Sequence, residues 1–181
     1  SNNYLVGGTI YQNFPQELKD TAKKGLIKYY QTNLKNPDDI KKAIADFQPD
    51  VVIHLAGKVL GGSDKKVFDR SIYEENISML KNILNAIREL NTLPRFILSS
   101  GCLIYDKQTS PDLVTEIPVW ALPEIDSTKQ PYRASKADQE KILSRERNLD
   151  YIIARPTQFT GSGKIPGVIE WYIATEILKI K

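Results

Sequence analysis

Short apolar runs alternate along this chain with longer stretches whose apolar residues recur at helical spacing. Each run has the length and the β-branched or aromatic content of a strand. The run Val51–Ala56 is continuous, as expected of a strand that is buried on both faces of a parallel sheet. This alternation predicts βαβ units, and therefore an α/β fold with a doubly wound parallel sheet and helices on both faces. The predicted strands are Tyr4–Tyr11, Leu26–Tyr30, Val51–Ala56, Phe96–Leu98 and Tyr151–Ala154.

The stretches between the runs carry helix signals. Asn36 can cap a helix that begins at Pro37, with two acids in its first turn. The residues Ile40, Ala43, Ile44 and Phe47 then share one face. A long polar loop is predicted from Asp106 to Pro131. Further helices are predicted at Phe14–Lys24, Glu74–Leu90, Tyr132–Arg147 and Ile169–Leu178.

Composition narrows the class of protein. The chain has 181 residues, 41% of them hydrophobic, and a formal net charge of +3, which is the profile of one globular domain. We find no basic run with interleaved aromatic residues, so we expect no nucleic-acid partner. No apolar run approaches the ~18 residues of a membrane span. The single cysteine, Cys102, excludes an internal disulfide and favours a cytoplasmic setting, and with one histidine, His54, we expect no transition-metal site.

In a parallel sheet of this kind, ligands bind outside the carboxyl ends of the strands. The residues that follow the predicted strands are therefore the candidates for a site. Tyr132 and Lys136 are four residues apart at a predicted helix start, so both project from one face. An ammonium beside a phenol lowers the phenol's pKa, which predicts that Tyr132 exchanges protons near neutral pH.

Five motifs follow one another in an order that resembles the extended short-chain dehydrogenase/reductase family, which includes sugar-nucleotide epimerases, dehydratases and reductases. The resemblance runs from about Tyr4 to Leu178. Its motifs are the strand end His54-Leu55-Ala56-Gly57, the helix residue Asn76, the pair Ser99-Ser100, the spacing Tyr132-x-x-x-Lys136, and Arg155-Pro156 followed by Gly161-x-Gly163.

The resemblance implies a Rossmann-type fold and a role for each matched residue. Tyr132 would be the catalytic acid/base, Lys136 would hold the nicotinamide ribose, and Ser100 would bond to the substrate oxygen. The cofactor would be NAD or NADP, since the residues after the first predicted strand include neither an acid nor an arginine. Its binding residues would be Leu55, Ala56 and Gly57 under the diphosphate and ribose, Asn33 and Leu34 at the adenine, Asn76, and Pro156 and Thr157 beside the nicotinamide, together with Tyr132 and Lys136.

The function that the resemblance implies is hydride transfer by an NAD(P)-dependent epimerase, dehydratase or reductase. Its substrate would be a sugar nucleotide or a related hydroxyl or carbonyl compound. The resemblance also implies a homodimer formed through the helices Glu74–Leu90 and Tyr132–Arg147. The alternative is a non-catalytic Rossmann protein that binds a nucleotide or serves as a scaffold.

Three departures from the family pattern bear on these expectations. Gly101 stands where the family usually has Ser or Thr, and Asn33 stands where it usually has Asp. The glycine-rich strand-loop-helix that holds the diphosphate is absent, because Gly7-Gly8 fits the family's second strand better than its first. The sheet would then lack its central strand, and the substrate lobe is also absent. We therefore expect residues 1–181 to form a single incomplete NAD(P)-binding domain, a fragment of a longer polypeptide.

Three further residues have simpler interpretations. We expect His54 to be a structural histidine with its hydrogen bonds satisfied, and Cys102 to be an inert thiol, because no nearby histidine could activate it. Trp120 is most simply a core or rim residue, although its place in the loop before Tyr132 would also allow contact with substrate.

Overall fold

The computed structural model describes residues 4–11, 25, 27–59, 69–105 and 116–156. Five strands and three helices alternate in the described part, and two short 3₁₀ turns, Cys102–Ile104 and Val119–Ala121, precede the third helix. None of the helices in these described ranges is long and apolar enough to cross a membrane. The elements are β1 (Val6–Ile10), β2 (Ile27–Gln31), α1 (Pro37–Phe47), β3 (Val51–His54), α2 (Ser71–Ile87), β4 (Arg95–Ser99), α3 (Pro131–Leu143) and β5 (Tyr151–Ala154).

All strand pairs are parallel, and the described strands form two sheets. β1 pairs with β2, and β4 lies between β3 and β5 in the second sheet. A cleft of about 460 Å³ lies between the two sheets, lined by Gly7–Thr9 of β1 and by the run Val51–Ala56. Among the described residues, the cleft therefore separates the free edges of β1 and β3.

The hydrophobic core lies between the second sheet and helices α2 and α3. Every strand alternates its side chains between the two faces of the sheet, so Phe96 and Leu98 of β4 point into this core and are fully buried. α1 packs beside α2 and contributes Ile40. The other fully or nearly buried members of the cluster are Leu80, Ile83, Leu84, Ala86, Ile87, Leu143 and Leu149.

The opposite face of the second sheet differs from the sequence-based expectation. We predicted that Val51–Ala56 is buried on both faces, but Val51 is 48% exposed and Ile53 is 58% exposed. In the described part of the chain, helices cover the face that carries Val52 and His54 and leave the other face open. The prediction that both faces of this strand are buried is therefore wrong for the described residues.

Two glycines that resemble a nucleotide-binding loop lie inside a strand. Gly7 and Gly8 belong to β1, as the sequence analysis inferred. A Cβ atom on Gly7 would stand 2.9 Å from the ring of Phe47 in α1, closer than carbon atoms normally approach. Gly7 thus allows α1 to pack closely on β1.

Helix boundaries deviate modestly from prediction. α2 begins at Ser71 and ends at Ile87, and α3 begins at Pro131 but ends at Leu143, short of Arg147. The predicted loop before α3 contains the turn Val119–Ala121. The helices predicted at Phe14–Lys24 and Ile169–Leu178 lie outside the described residues.

Candidate active site

Helix α3 brings Tyr132 and Lys136 to the carboxyl edge of the second sheet. Pro131 occupies the first turn, where its missing N–H costs no helical hydrogen bond. Lys136 is 4% exposed, and its Nζ donates a hydrogen bond to the Ser99 carbonyl oxygen at 2.7 Å. The same ammonium lies 5.8 Å from the centroid of the Tyr132 ring. The predicted pair therefore exists, and it is fixed to the end of β4.

Burial shifts the pKa values of both groups in this pair. It lowers the pKa of the Lys136 ammonium and raises the pKa of the half-buried Tyr132 phenol, because burial penalises the charged form of each group. The predicted lowering of the Tyr132 pKa by Lys136 does not occur in this arrangement. The ammonium is bonded to the Ser99 carbonyl and faces the aromatic ring, and burial is the cause of the shift in the Tyr132 pKa.

Ser100 carries a buried hydroxyl without a partner. Its backbone N–H donates to the Ala154 carbonyl at 2.8 Å, which joins the ends of β4 and β5. The residue is 5% exposed, and its Oγ has no hydrogen-bond partner in the described structure. A buried hydroxyl that bonds to nothing is costly, so this atom is suited to bond to a molecule that enters the site.

Asn76 works as a structural hub within the site. Its Oδ1 accepts from the Lys58 N–H at 2.6 Å, and its Nδ2 donates to the Lys58 carbonyl at 3.0 Å and to Ser135 Oγ at 3.1 Å. The Ser135 hydroxyl in turn donates to the Tyr132 carbonyl at 2.7 Å. Both N–H donors of the Asn76 amide are thus used within the protein. Asn76 therefore holds the loop after β3 against α3, and its contact with the cofactor stays a prediction.

Gly57 lies beside this hub. A Cβ atom built on it would stand 3.7 Å from Asn76 Oδ1 and 3.8 Å from Lys136 Nζ. The preceding residues of the same loop are accessible, with Leu55 72% exposed and Ala56 half-buried. The loop Leu55–Gly57 therefore passes beside Lys136, and its role in binding the cofactor stays a prediction.

The predicted adenine-side residues follow β2. Asn33 Oδ1 accepts from the Lys35 N–H at 3.0 Å, which stabilises the turn before α1. Leu34 lines the cleft between the sheets, and its carbonyl accepts from Asn82 Nδ2 at 3.2 Å. Leu34 is thus anchored to α2 by a residue that the sequence analysis did not single out.

One of the two residues predicted to lie beside the nicotinamide, Pro156, is within the part of the chain that the structure describes. The Pro156 carbonyl accepts from the Cys102 N–H at 3.1 Å, so Pro156 lies beside the turn that follows Ser100. Thr157 lies outside the described residues. The Cys102 thiol is exposed, and Trp120 is 87% exposed, so Trp120 is not a core residue.

His54 is buried on the helix-covered side of β3. It is 2% exposed, and burial together with the nearby Lys136 charge lowers its pKa to about 4. Its Nε2 has no hydrogen-bond partner in the described structure, so the expectation of a fully satisfied histidine is wrong. The ring lies 6.3 Å from that of Phe96, which places it in the core as a neutral side chain.

A buried ion pair that was not predicted from the sequence lies next to the site. Arg155 Nη2 lies 2.7 Å from Glu140 Oε2, and the two side chains are 8% and 0% exposed. Glu140 follows Lys136 by four residues, so it lies on the same face of α3, and Arg155 follows β5 directly. The spacing was readable in the sequence, but many charged pairs have such spacing, and the buried contact depends on the tertiary fold.

The polar groups of this site can be compared with those that are needed to bind a nicotinamide dinucleotide. The unpartnered Ser100 hydroxyl, the buried Lys136 ammonium and the Tyr132 phenol provide the donors that a nicotinamide ribose and a reacting oxygen need. Beside the loop, Lys58 is held by Asp69 at 3.1 Å and Glu75 at 2.8 Å. No glycine-rich phosphate loop occurs among the residues that the structure describes. The site therefore fits the nicotinamide end, and the diphosphate needs further donors.

Parallel strands, helical crossovers and a site at the carboxyl edge define a dinucleotide-binding α/β domain of the Rossmann type. The chain belongs to the NAD dependent epimerase/dehydratase family, whose model matches residues 5–179.

Two curated relatives are similar to most of this chain. UDP-glucose 4-epimerase of Mycoplasma genitalium is 27% identical over 143 residues, which cover 79% of this chain and 41% of that protein. A decarboxylating sterol-4-alpha-carboxylate 3-dehydrogenase of Candida albicans is 25% identical over 149 residues, covering 78% and 39%. The chain thus spans about two fifths of the length of each of these relatives.

Solved structures show the same fold. A protein from Burkholderia cenocepacia superposes with a TM-score of 0.73 at 24% identity, covering 97% of this chain and 53% of the other. UDP-glucose 4-epimerase from Bifidobacterium longum, in complex with NAD⁺ and UDP, gives 0.64 at 22% identity, covering 84% and 45%. RMD from Pseudomonas aeruginosa, in complex with NADPH, gives 0.65 at 21% identity, covering 85% and 52%.

Proposed function

We propose that this chain is the nucleotide-binding part of an enzyme that binds NAD or NADP and transfers hydride to or from a sugar nucleotide or a related hydroxyl or carbonyl compound. The observation that carries the proposal is the buried Lys136 ammonium, bonded to the Ser99 carbonyl and facing the Tyr132 ring beside an unpartnered Ser100 hydroxyl. Burying a charge is costly, so its retention in this position favours a functional role.

In the proposed reaction, a bound nicotinamide supplies or accepts the hydride. Tyr132 donates a proton to the reacting oxygen, or removes one from it, through its phenol group. The Ser100 hydroxyl donates a hydrogen bond to the same oxygen and orients it. Lys136, held at the end of β4 by its bond to the Ser99 carbonyl, would bind the ribose hydroxyls of the cofactor. Asn76 holds Gly57 and Lys58, so the loop Leu55–Gly57 keeps its position beside α3.

We assign the binding of the diphosphate to a segment of the protein that would pair with the open edges of β1 and β3. Each of these strands has one hydrogen-bonded neighbour among the described residues, and their free edges face the cleft of about 460 Å³. Strand edges that face a cleft carry unpaired backbone groups, and a further strand at this position would pair them. A loop at the carboxyl end of that strand would reach the cofactor's phosphates beside Leu55–Gly57.

The proposal is tested by turnover in the full-length protein, with UDP-glucose as the first substrate. Product formation is followed by chromatography of the UDP-sugars, and net redox by absorbance of the reduced cofactor. We expect Tyr132→Phe to lower turnover about 10²- to 10⁴-fold while the cofactor Kd stays within about twofold. Tyr151→Phe, on β5, is the control and should retain turnover.

The alternative proposal is a non-catalytic scaffold that binds a nucleotide or a partner. The observations that favour it are Gly101 at the position usually held by Ser or Thr, and the lack of a glycine-rich loop among the described residues. A full-length protein that binds NADH but turns over neither UDP-glucose nor a 3-hydroxysteroid would support the scaffold.

A further inference from the structure

Arg155 contacts three separate parts of the chain. Its guanidinium donates to both carboxylate oxygens of Glu140, with a shortest N–O distance of 2.7 Å. Nη1 donates to the Tyr105 hydroxyl at 2.9 Å and to the Ile117 carbonyl at 2.7 Å. The guanidinium carbon also lies 5.4 Å from the centroid of the Tyr105 ring. One side chain therefore joins α3 to the two segments on either side of residues 106–115.

The burial of this cluster makes its geometry specific. The Arg155 side chain is 8% exposed and that of Glu140 is 0% exposed, so neither can exchange its partner for water. A buried carboxylate without a partner is strongly unfavourable, which fixes the ion pair. The planar guanidinium presents five donors in fixed directions, and a lysine ammonium could not reach the same set of acceptors.

The two joined segments lie on one side of the candidate active site. Tyr105 ends the turn that begins after Ser100, and Ile117 precedes the turn that carries Trp120. Both turns pack against α3, where Ile104 and Leu122 contact Ala137, the residue after Lys136. Tyr105 and Ile117 also flank residues 106–115, so Arg155 holds the chain on both sides of that connection.

The opposite side of the site has a separate anchor. The cofactor-side loop Leu55–Gly57 is held by Asn76, which bonds to both backbone groups of Lys58. Asn76 is joined to α3 through Ser135 and through Gln139, whose Nε2 donates to the Asn76 carbonyl at 2.8 Å. Helix α3 thus has one buried hub for the cofactor side and another, Arg155, for the side that carries Ser100.

We propose that Arg155 is a positioning residue for substrate recognition. It fixes the segments 101–105 and 116–122 to α3, so that Ser100 and Tyr132 keep one common geometry toward the substrate oxygen. The proposal rests on the proposed function. Loss of this hub should weaken substrate recognition and leave cofactor binding intact.

The test uses the full-length protein with Arg155→Lys and Tyr105→Phe. Arg155→Lys keeps the positive charge opposite Glu140 and removes the planar guanidinium with its fixed donors. Tyr105→Phe keeps the aromatic ring and removes the hydroxyl that accepts from Arg155. The control is Arg88→Lys, since Arg88 pairs with Glu146 at a surface position away from the site. Thermal unfolding of each variant establishes that it is folded at the assay temperature.

The first measurement is amide hydrogen exchange by mass spectrometry. In Arg155→Lys we expect exchange to accelerate at least about threefold in both segments, 101–105 and 116–122, and to stay unchanged in α1. Arg88→Lys should change neither segment. Acceleration in only one segment, in neither, or throughout the protein including α1 would overturn the proposed coupling.

The second measurement separates substrate from cofactor. With UDP-glucose as the probe, we expect Arg155→Lys to raise KM about tenfold or more and the NADH Kd to stay within about twofold. Tyr105→Phe should shift KM in the same direction by less. A Kd that rises in step with KM would overturn the substrate-side role. A wild-type protein that neither binds NADH nor converts UDP-glucose contradicts the proposed function instead, and hydrogen exchange then decides the coupling alone.

Discussion

At the scale of single residues, the candidate site depends on polar groups that are buried without full pairing. Ser100 Oγ and His54 Nε2 both lack partners in the described structure, and Lys136 is a nearly inaccessible ammonium. Such groups lower stability, so a folded protein retains them where they serve a ligand or another group. Stability and activity measurements on the same variants can therefore separate the two roles.

Ser100→Ala should leave stability unchanged or raise it while activity falls. The Ser100 hydroxyl makes no bond that the substitution would break, and removing an unpaired buried group contributes up to about 1 kcal/mol. We expect the free energy of unfolding, measured in urea, to rise slightly, and turnover to fall about 10-fold or more.

Ser135→Ala is the control for that substitution. Ser135 is also buried, but its hydroxyl accepts from Asn76 Nδ2 and donates to the Tyr132 carbonyl. Its loss should cost about 1–3 kcal/mol, because the partner groups remain buried. Equal destabilisation by the two substitutions would contradict the assignment of an unpaired hydroxyl to Ser100.

His54 should make the protein less stable at acid pH. Burial and the Lys136 charge lower its pKa from 6.5 to about 4 in the folded state, so between these values the unfolded chain binds a proton that the folded chain does not. Stability from this group is complete above pH 6.5 and is lost as the pH falls, by about 3 kcal/mol at pH 4.

The measurement for His54 is the urea unfolding free energy of wild type and His54→Leu at pH 7, 6, 5 and 4.5. We expect wild type to lose more stability on acidification than the variant, since carboxylates titrate in both proteins and cancel in the comparison. The same pH dependence in both would show that His54 binds its proton equally well in the folded and unfolded states, so that its pKa is not lowered by folding.

At the scale of elements, local sequence signals predicted the strands, both ends of α1 and the start of α3, and they placed α2 three residues too late in the chain. Asn36 and Pro37 marked the start of α1, because the capping residue satisfies free N–H groups and Pro fits the first turn. The end of α3 was misjudged, since no Gly or Pro follows Leu143 and the polar residues after it also suit a helix. The exposed face of β3 could not be predicted, because burial depends on what packs against the strand.

The cap of α1 can be tested directly. Asn36 Oδ1 accepts from the Asp38 N–H at 3.0 Å, so Asn36→Ala should lower the free energy of unfolding by about 1 kcal/mol. Asn36→Ser keeps an acceptor oxygen at the cap without placing a second carboxylate beside Asp39, to which Asn36 Nδ2 donates at 3.2 Å, and should lie within about 0.5 kcal/mol of wild type. Urea denaturation measures both, and equal loss in the two variants would argue against capping.

The link between α3 and β5 should contribute strongly to stability. Glu140→Ala leaves the Arg155 charge buried and unpaired, which should cost about 3–5 kcal/mol. Glu146→Ala removes the partner of Arg88, whose side chain is 51% exposed, and should cost less than about 1 kcal/mol. Similar losses in the two variants, measured by thermal unfolding, would contradict the difference in burial.

At the scale of the whole molecule, ordered motifs predicted more than composition did. Tyr132, Lys136, Ser100 and the loop Leu55–Gly57 come together at one edge because parallel strands all end there. Three features could not be predicted, since each depends on side-chain contacts across elements. They are the Arg155 hub, the hydrogen bonds of Asn76 and the direction in which the Tyr132 pKa shifts.

Lys136 is proposed to bind the nicotinamide cofactor beside Tyr132. The most direct measurement is a calorimetric titration of the full-length protein with NADH and NADPH, comparing wild type, Lys136→Met and Lys141→Met. Lys141 lies on the same helix and pairs with Asp138 at 3.3 Å, so its loss controls for charge and length. We predict a Kd of roughly micromolar for wild type and Lys141→Met, weakened about tenfold or more in Lys136→Met. Equal affinity in the two variants, or no binding by folded wild type, would contradict the account.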